Sequence, residues 1–226
     1  MQPFTDQKWF LVVLTAIVGF LSYVARDLYD KIKGKKKKEI ERTMTEGMRA
    51  ISQVYQAMES LLQQTPADRV LLLEVTNSGS MPTAGEKVYS RAVEVKLDKE
   101  SNFLERLKIL ANYEKILVDS QYVNMVVQAK ETGEPYRFNV ADHKPCLLRD
   151  IYETEGIKYS EIYHIYSDTK RWKQFILSVS TYKENQTYNS EKTRAIINMN
   201  VHKIRQTFDQ YRKQWTKLKR FSTTTN

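Results

Sequence analysis

Cys146 is the only cysteine of the 226-residue chain, with His143 three positions before it and Asp142 next to that histidine. A thiol, an imidazole and a carboxylate so close together are the raw material of a metal centre or of nucleophilic catalysis. A metal centre needs a second ligand pair, and His164 and His202 fall in other elements. A loop histidine and a helix-start thiol are therefore the better reading. A helix start beside Lys144 would lower the thiol pKa. No histidine or asparagine orienter can be assigned to it, which favours an ordinary half-buried cysteine. The segment Asn77–Gly85 (NSGSMPTAG) holds two glycines without the G-x-G-x-x-G or G-x-x-x-x-G-K-[ST] spacing that aims N–H groups at phosphates. Glu74 and Glu94 fall on neighbouring expected strands, and two carboxylates without a cleft make no acid–base pair. These residues support no enzyme class, no metal and no cofactor.

The tyrosines form the one unusual constellation. Tyr152, Tyr159, Tyr163 and Tyr166 lie within fifteen residues, with Tyr136 and Tyr182 on expected strands. On a regular strand residues 159, 163 and 165 share a face and Tyr166 points opposite. Aromatic packing in a sheet explains most of this pattern. The functional reading is a pocket lined by Tyr122, Tyr136 and Tyr163, with Arg137 or His143, for a small planar or anionic ligand.

Several elements must position these side chains. Arg69–Thr76 (RVLLLEVT) reads as a buried central strand, and Val88–Lys96 as a second strand. Residues 100–111 and 119–131 read as helices, the latter capped by Asp119 and stopped by Gly133. Tyr136–Asn139 is a short strand, and Pro145 opens a helix that Gly156 ends. Ile157–Tyr166 and Trp172–Tyr182 are strands joined by a hairpin loop. Two helices flank this region. Met48, Ile51, Tyr55, Met58 and Leu62 recur at 3, 4, 3, 4 spacing; Ile197, Val201, Ile204, Phe208, Tyr211, Trp215 and Leu218 continue the alternation for three heptads. Both stripes are candidate dimer helices, or else pack on the chain's own sheet. The order predicts an α+β fold with a mainly antiparallel sheet of five or six strands flanked by helices.

Net charge is +9, unevenly placed. Residues 61–190 hold 17 basic against 18 acidic side chains, while 191–226 hold nine against two. A nucleic-acid reader carries its positive charge on the folded module. This placement predicts no nucleic-acid partner. Residues 9–25 are uncharged, about 26 Å of helix at 1.5 Å per residue. Trp9 and Tyr23 suit the interface and Lys8 and Arg26 can snorkel, so the segment can span a lipid bilayer. The acid near the start, and Tyr23 at the −3 position of any cleavage site in SYVARD (22–27), argue against a cleaved signal peptide. One basic residue precedes the span and eight follow: Arg26, Lys31, Lys33, Lys35, Lys36, Lys37, Lys38 and Arg42. That bias predicts the N-terminus outside and the C-terminal mass in the cytoplasm. The run 31–38 (KIKGKKKK) fixes topology and also suits anionic lipids.

The expected organisation is a tail (1–8), a transmembrane helix (9–25), a basic juxtamembrane segment (26–38), a linker helix (39–64), an α+β domain (65–188), an amphipathic helix (189–220) and a polar tail (221–226) with no output domain after it. ADRVLLLEV (67–75), the turn NSGS (77–80), AVEV (92–95), GIKYSEIYHI (156–165) and FILSVSTY (175–182) resemble a GAF-type domain over roughly residues 40–215. The resemblance implies a six-strand antiparallel sheet, dimers through the flanking helices and a small-molecule pocket between sheet and helices. The asparagine–lysine–aspartate cyclic-nucleotide signature of some members is missing, and Cys146 has no Cys-His pair for a tetrapyrrole. The expected function is a single-pass, cytoplasmic, non-enzymatic sensing or interaction module, dimeric through its flanking helices. The alternative is a phage holin-type membrane-permeabilising protein with a soluble C-terminal domain, which has a similar size and order of parts.

Overall fold

The computed structural model describes residues 4–76, 88–97, 103–169, 173–184 and 187–223, with side chains from 26 to 211 apart from positions 27, 28 and 36. Two compact units emerge: Met1–Met48 with Gln214–Asn226, and Arg49–Lys213. The second unit exceeds the expected 65–188 domain because it takes in the inner parts of both flanking helices. The elements are α1 (Phe4–Gln64), β1 (Arg69–Thr76), β2 (Tyr89–Leu97), α2 (Phe103–Asn112), β3 (Ile116–Leu117), α3 (Ser120–Thr132), β4 (Tyr136–Asn139), α4 (Leu147–Thr154), β5 (Tyr159–Asp168), β6 (Lys173–Thr181) and α5 (Glu191–Thr223).

In the first unit the backbone is helical from Phe4, through the basic run as well. Lys31, Lys33, Lys35, Lys37 and Lys38 are exposed. The expected span 9–25, with Trp9 and Tyr23, lies outside the residues whose side chains are described, as do Lys36, Trp215 and Leu218. Among the described residues no helix is long and apolar enough to cross a membrane.

The second unit is built on a six-stranded antiparallel sheet in the order β3-β2-β1-β6-β5-β4. β1 is central because seven of its eight residues are buried, as its apolar run requires. One face carries Leu71, Leu73, Ile162 and Ile176 against α2, α3 and α4. The other carries Val70, Leu72, Leu177 and Val179 against α1 and α5.

The candidate dimer stripes change meaning here. Ile197, Val201 and Ile204 are buried, and Phe208 packs on the same core. They cover this chain's own sheet, so they are not free for a second copy. On α1 the inward row is Val54, Ala57, Met58 and Leu61. Met58 belongs to it, Tyr55 and Leu62 flank it, and Met48 and Ile51 are exposed. Heptad spacing alone did not fix the phase. Tyr211 is half-buried.

Two irregularities re-aim side chains. The β5–β6 register slips between His164 and Tyr166, which pairs Tyr166 with Phe175. An extra residue reverses the alternation, so Tyr166 joins Phe175 and Phe208 on the α5 side instead of pointing opposite Tyr163. The β1–β2 register slips likewise between Leu72 and Leu73. β3, two residues long, carries too little pattern to read from sequence.

Candidate functional site

Tyr122 sits in the first turn of α3, where its backbone N–H donates to the N-cap carboxylate of Asp119 at 2.8 Å. Gly133 ends the helix at φ 71°, a conformation that glycine adopts at no steric cost. Asp119 also receives the Leu147 N–H of α4, so one carboxylate ties the starts of two helices. The Tyr122 ring is buried and its hydroxyl lies 2.9 Å from Ser90 Oγ on β2. Burial pushes the phenol above its ordinary range, against the smaller opposing pull of the Ser90 hydrogen bond.

Beside Tyr122 a cleft of about 190 Å³ opens between α3 and the β1, β2 and β6 end of the sheet. Val75, Tyr122 and Val126 are its buried walls; Val123, Val127 and Lys130 are exposed at its mouth. Val88 and Val118 complete the apolar lining. β-Branched side chains hold few rotamers, which gives the cleft a fixed shape. Gln174 is its second polar group; its Oε1 accepts from the His164 ring and the Ser167 hydroxyl. Burial keeps His164 below the usual histidine range, so the ring is neutral at pH 7 and donates through Nε2.

The far end of the same face is closed by polar groups. Arg69 is fully enclosed, with its guanidinium carbon 5.4 Å from the ring centres of both Tyr113 and Tyr152. It pairs with Glu155, which also accepts from Tyr113 Oη at 2.9 Å. Burial disfavours the Arg69 charge, yet Tyr113, Tyr152 and Glu155 more than offset it and hold its pKa above the ordinary value. Ser160, Ser178 and Ser180 form a buried triangle at 2.9–3.0 Å, with Tyr152 Oη 3.0 Å from Ser178 Oγ. This end is a closed polar network in which Arg69 Nε alone of the guanidinium nitrogens lacks a hydrogen-bond partner. The Val75 end is where space remains.

The five residues expected to share a pocket fall in three places. Tyr122 lines the cleft. Tyr136 and His143 pair elsewhere, Oη to Nε2 at 3.0 Å, with His143 stacked on Phe138 at 3.9 Å. Tyr163 and Arg137 lie near Glu161 on the α1–α5 side. Glu161 is wholly buried and accepts from Tyr159 at 3.0 Å, from Tyr163, and from Arg194 of α5 at 2.8 Å. Opposite faces of one sheet cannot form one pocket. Glu161 shares the odd-numbered alternation of Tyr159 and Tyr163, and Arg69 opens an apolar strand; those were the available signals for two unforeseen buried charges.

Cys146 caps α4, its Sγ accepting the Arg149 N–H at 3.4 Å and lying 3.8 Å from His143 Nδ1. Burial pushes the thiol up rather than down, which corrects the expectation from its helix-start position. His143 Nδ1 lies 3.0 Å from the Lys144 carbonyl, and Nε2 faces the Tyr136 hydroxyl. Both ring nitrogens are engaged, leaving no base for the sulfur. Glu74 and Glu94 are ion-paired, Glu74 to Arg91 and Lys173, Glu94 to Arg106. Among the described residues no cluster of histidine, cysteine and carboxylates could hold a metal ion. A wider groove of about 790 Å³ runs past Asn139, Glu153 and Lys158. Its carboxylates are engaged locally: Asp142 by Asn139, Glu153 by Arg149 and Glu184 by Lys158. The smaller cleft is the better ligand site of the two, because its lining is mainly apolar with few polar groups, whereas the wider groove is lined largely by carboxylates and other polar side chains.

No family model matches the sequence, and neither does any curated protein. Solved structures do match in shape. A GAF domain of a Synechocystis sp. PCC6803 protein, in its photoproduct state, aligns with a TM-score of 0.50 at 10% identity over 76% of this chain and 98% of that one. The GAF domain of a two-component sensor histidine kinase from Bacillus halodurans aligns at 0.46 and 14% identity, over 70% and 92%. The phycoerythrobilin-bound GAF domain of a cyanobacterial phytochrome aligns at 0.43 and 12%, over 76% and 97%. The chain has a GAF-like fold, a six-strand antiparallel sheet between two layers of helices.

Proposed function

We propose that this chain is a single-pass, membrane-anchored and non-enzymatic sensing or protein-interaction module of GAF-like type, with its folded domain on the cytoplasmic side. The observation that carries the sensing part is the position of the Tyr122 cleft. It opens on the α3 face of the sheet, while α1 and α5 occupy the opposite face of the same strands. A ligand beneath α3 and the two flanking helices thus act on one structural element. Such a ligand shifts the helices only if it binds two arrangements of the domain with different affinity.

The anchor is supported by the uncharged run 9–25 and by the eight basic side chains that follow it. The exposed lysines of 31–38 suit anionic headgroups at roughly 1 kcal/mol each close to the surface. A homodimer is supported on the exposed side of α1, which shares Met48 with the expected stripe but none of its buried members. Ile40, Met44 and Met48 are exposed there at 4, 4 spacing. An exposed apolar row of that kind marks an interaction site.

Epitope tags at the two termini, probed in sealed and opened cells, test the arrangement. The N-terminal tag should be reached from outside and the C-terminal tag only after opening. Digestion of the folded domain by protease outside sealed cells would overturn it and favour the holin-type alternative.

A further inference from the structure

The geometry points to a short-chain aliphatic carboxylate as the ligand of the Tyr122 cleft, an inference that rests on reading this cleft as the sensing site. The volume sets the size. At about 190 Å³ the cleft lies below the roughly 300 Å³ at which drug-sized pockets begin. It has room for roughly six heavy atoms at about 30 Å³ each, the share of a molecule in liquid water. The lining sets the chemistry of the tail. Val75, Val126 and the Tyr122 ring are apolar and buried, and the Tyr122 hydroxyl is already engaged by Ser90. Nothing in those walls calls for a polar group on the part of the ligand that enters.

The mouth sets the chemistry of the head. Lys130 is exposed there and makes no ion pair among the described residues. Gln174 is the other polar residue of the lining. Because His164 and Ser167 both occupy its Oε1, the two N–H donors of the amide are directed away from that pair. An ammonium and an amide donor set accept an anion and offer nothing to a cation. The carboxylates of the sheet nearest in sequence do not compete, since Glu74 is held by Arg91 and Lys173. One apolar tail of five or six carbons with one carboxylate satisfies both ends.

Titration calorimetry on the full chain with butanoate, hexanoate, decanoate, hexan-1-ol and hexylammonium tests this. Binding should tighten about fourfold for each methylene from butanoate to hexanoate, the equivalent of about 0.8 kcal/mol per buried CH₂, and gain nothing further at decanoate. Hexan-1-ol and hexylammonium should bind more weakly than hexanoate. Lys130→Gln should weaken hexanoate about threefold and leave hexan-1-ol unchanged, as expected for one exposed charge pair. Val126→Phe should abolish binding by filling the cleft. Val123→Asp, a surface change that spares the core, should weaken hexanoate by setting a negative charge at the mouth. Equal or tighter binding of hexan-1-ol, absence of a chain-length dependence, or failure of every probe would overturn the carboxylate. Failure of the sensing reading is seen separately, as hexanoate binding that leaves hydrogen exchange in α1 and α5 unchanged.

Discussion

Arg69 on β1 and Glu155, the residue that follows α4, form an ion pair in which the arginine side chain is fully enclosed and the carboxylate side chain is 9% exposed. The pair clamps α4 onto the end of the central strand, and Tyr113 brings the end of α2 to the same carboxylate. Removing one member of a buried pair leaves a charge without compensation, at a cost of about 3–5 kcal/mol. Glu155→Ala should therefore lower the urea midpoint markedly with the denaturant slope unchanged. The double change Arg69→Met with Glu155→Leu should recover most of that loss. Equal midpoints for the single and double variants would contradict this account.

Five tyrosines, Tyr113, Tyr122, Tyr159, Tyr163 and Tyr188, hold their protons more tightly when folded, with burial as the largest cause in each. Above the ordinary value of 10.0 the unfolded chain loses these protons first. Folded stability is then fully present below pH 10 and falls as pH rises, by up to about 1.4 kcal/mol per pH unit for each phenol. The tyrosinate absorbance of these five, isolated by difference spectra against Tyr→Phe variants, should rise together with loss of circular dichroism in one cooperative step. Ionisation of these five ahead of unfolding would refute the prediction.

Cys146 should alkylate more slowly than an unhindered model thiol at the same pH, because burial holds it in the neutral form. Cys146→Ser should leave thermal stability unchanged or raise it slightly, since serine is a favoured N-cap. Labelling by iodoacetamide, followed by mass spectrometry, measures the first and a melting curve the second. Alkylation faster than the model thiol would revive a reactive role.

The apolar row on α1 and the inward row on α5 should respond differently to charge. Met44→Asp and Met48→Asp should dissociate the proposed dimer with the fold intact, as both side chains are exposed. Ile204→Asp should unfold the domain, because the position is fully buried in the core. Sedimentation velocity with circular dichroism on each variant separates the two effects. A fold-preserving, dimer-breaking Ile204→Asp would return the interface to the α5 stripe.

Much of the architecture was legible because it rests on local pattern. RVLLLEVT forms the expected strand residue for residue, and Asp119 and Gly133 bound α3 as their cap chemistry predicts. Tyr159, Tyr163 and Ile165 do share a face. What sequence could not supply was phase and partnership. Met48 and Met58 looked equivalent on one stripe, and tertiary packing decides that only Met58 is buried. The slip after His164 has no sequence signature and turns Tyr166 over. The pocket was expected of tyrosines, but Tyr163 serves Glu161 across the sheet, and the cleft is made mainly by valines drawn together from β1, α3 and the segments around them.

The order of strands has a mechanical consequence. β1 and β6 are antiparallel neighbours, with Arg69 opposite Ser180, so the polypeptide enters and leaves the sheet through one doorway. Asp68 latches that doorway, receiving the Thr181 hydroxyl at 2.6 Å and the Tyr182 N–H at 2.9 Å. Tension that drew the two flanking helices apart would strip their inner rows from the sheet, load the Asp68 latch and then peel β1 from β6 rung by rung, like a zip. It would not have to shear the whole ladder at once. A domain strung this way gives way to a pull on its ends one ladder bond at a time.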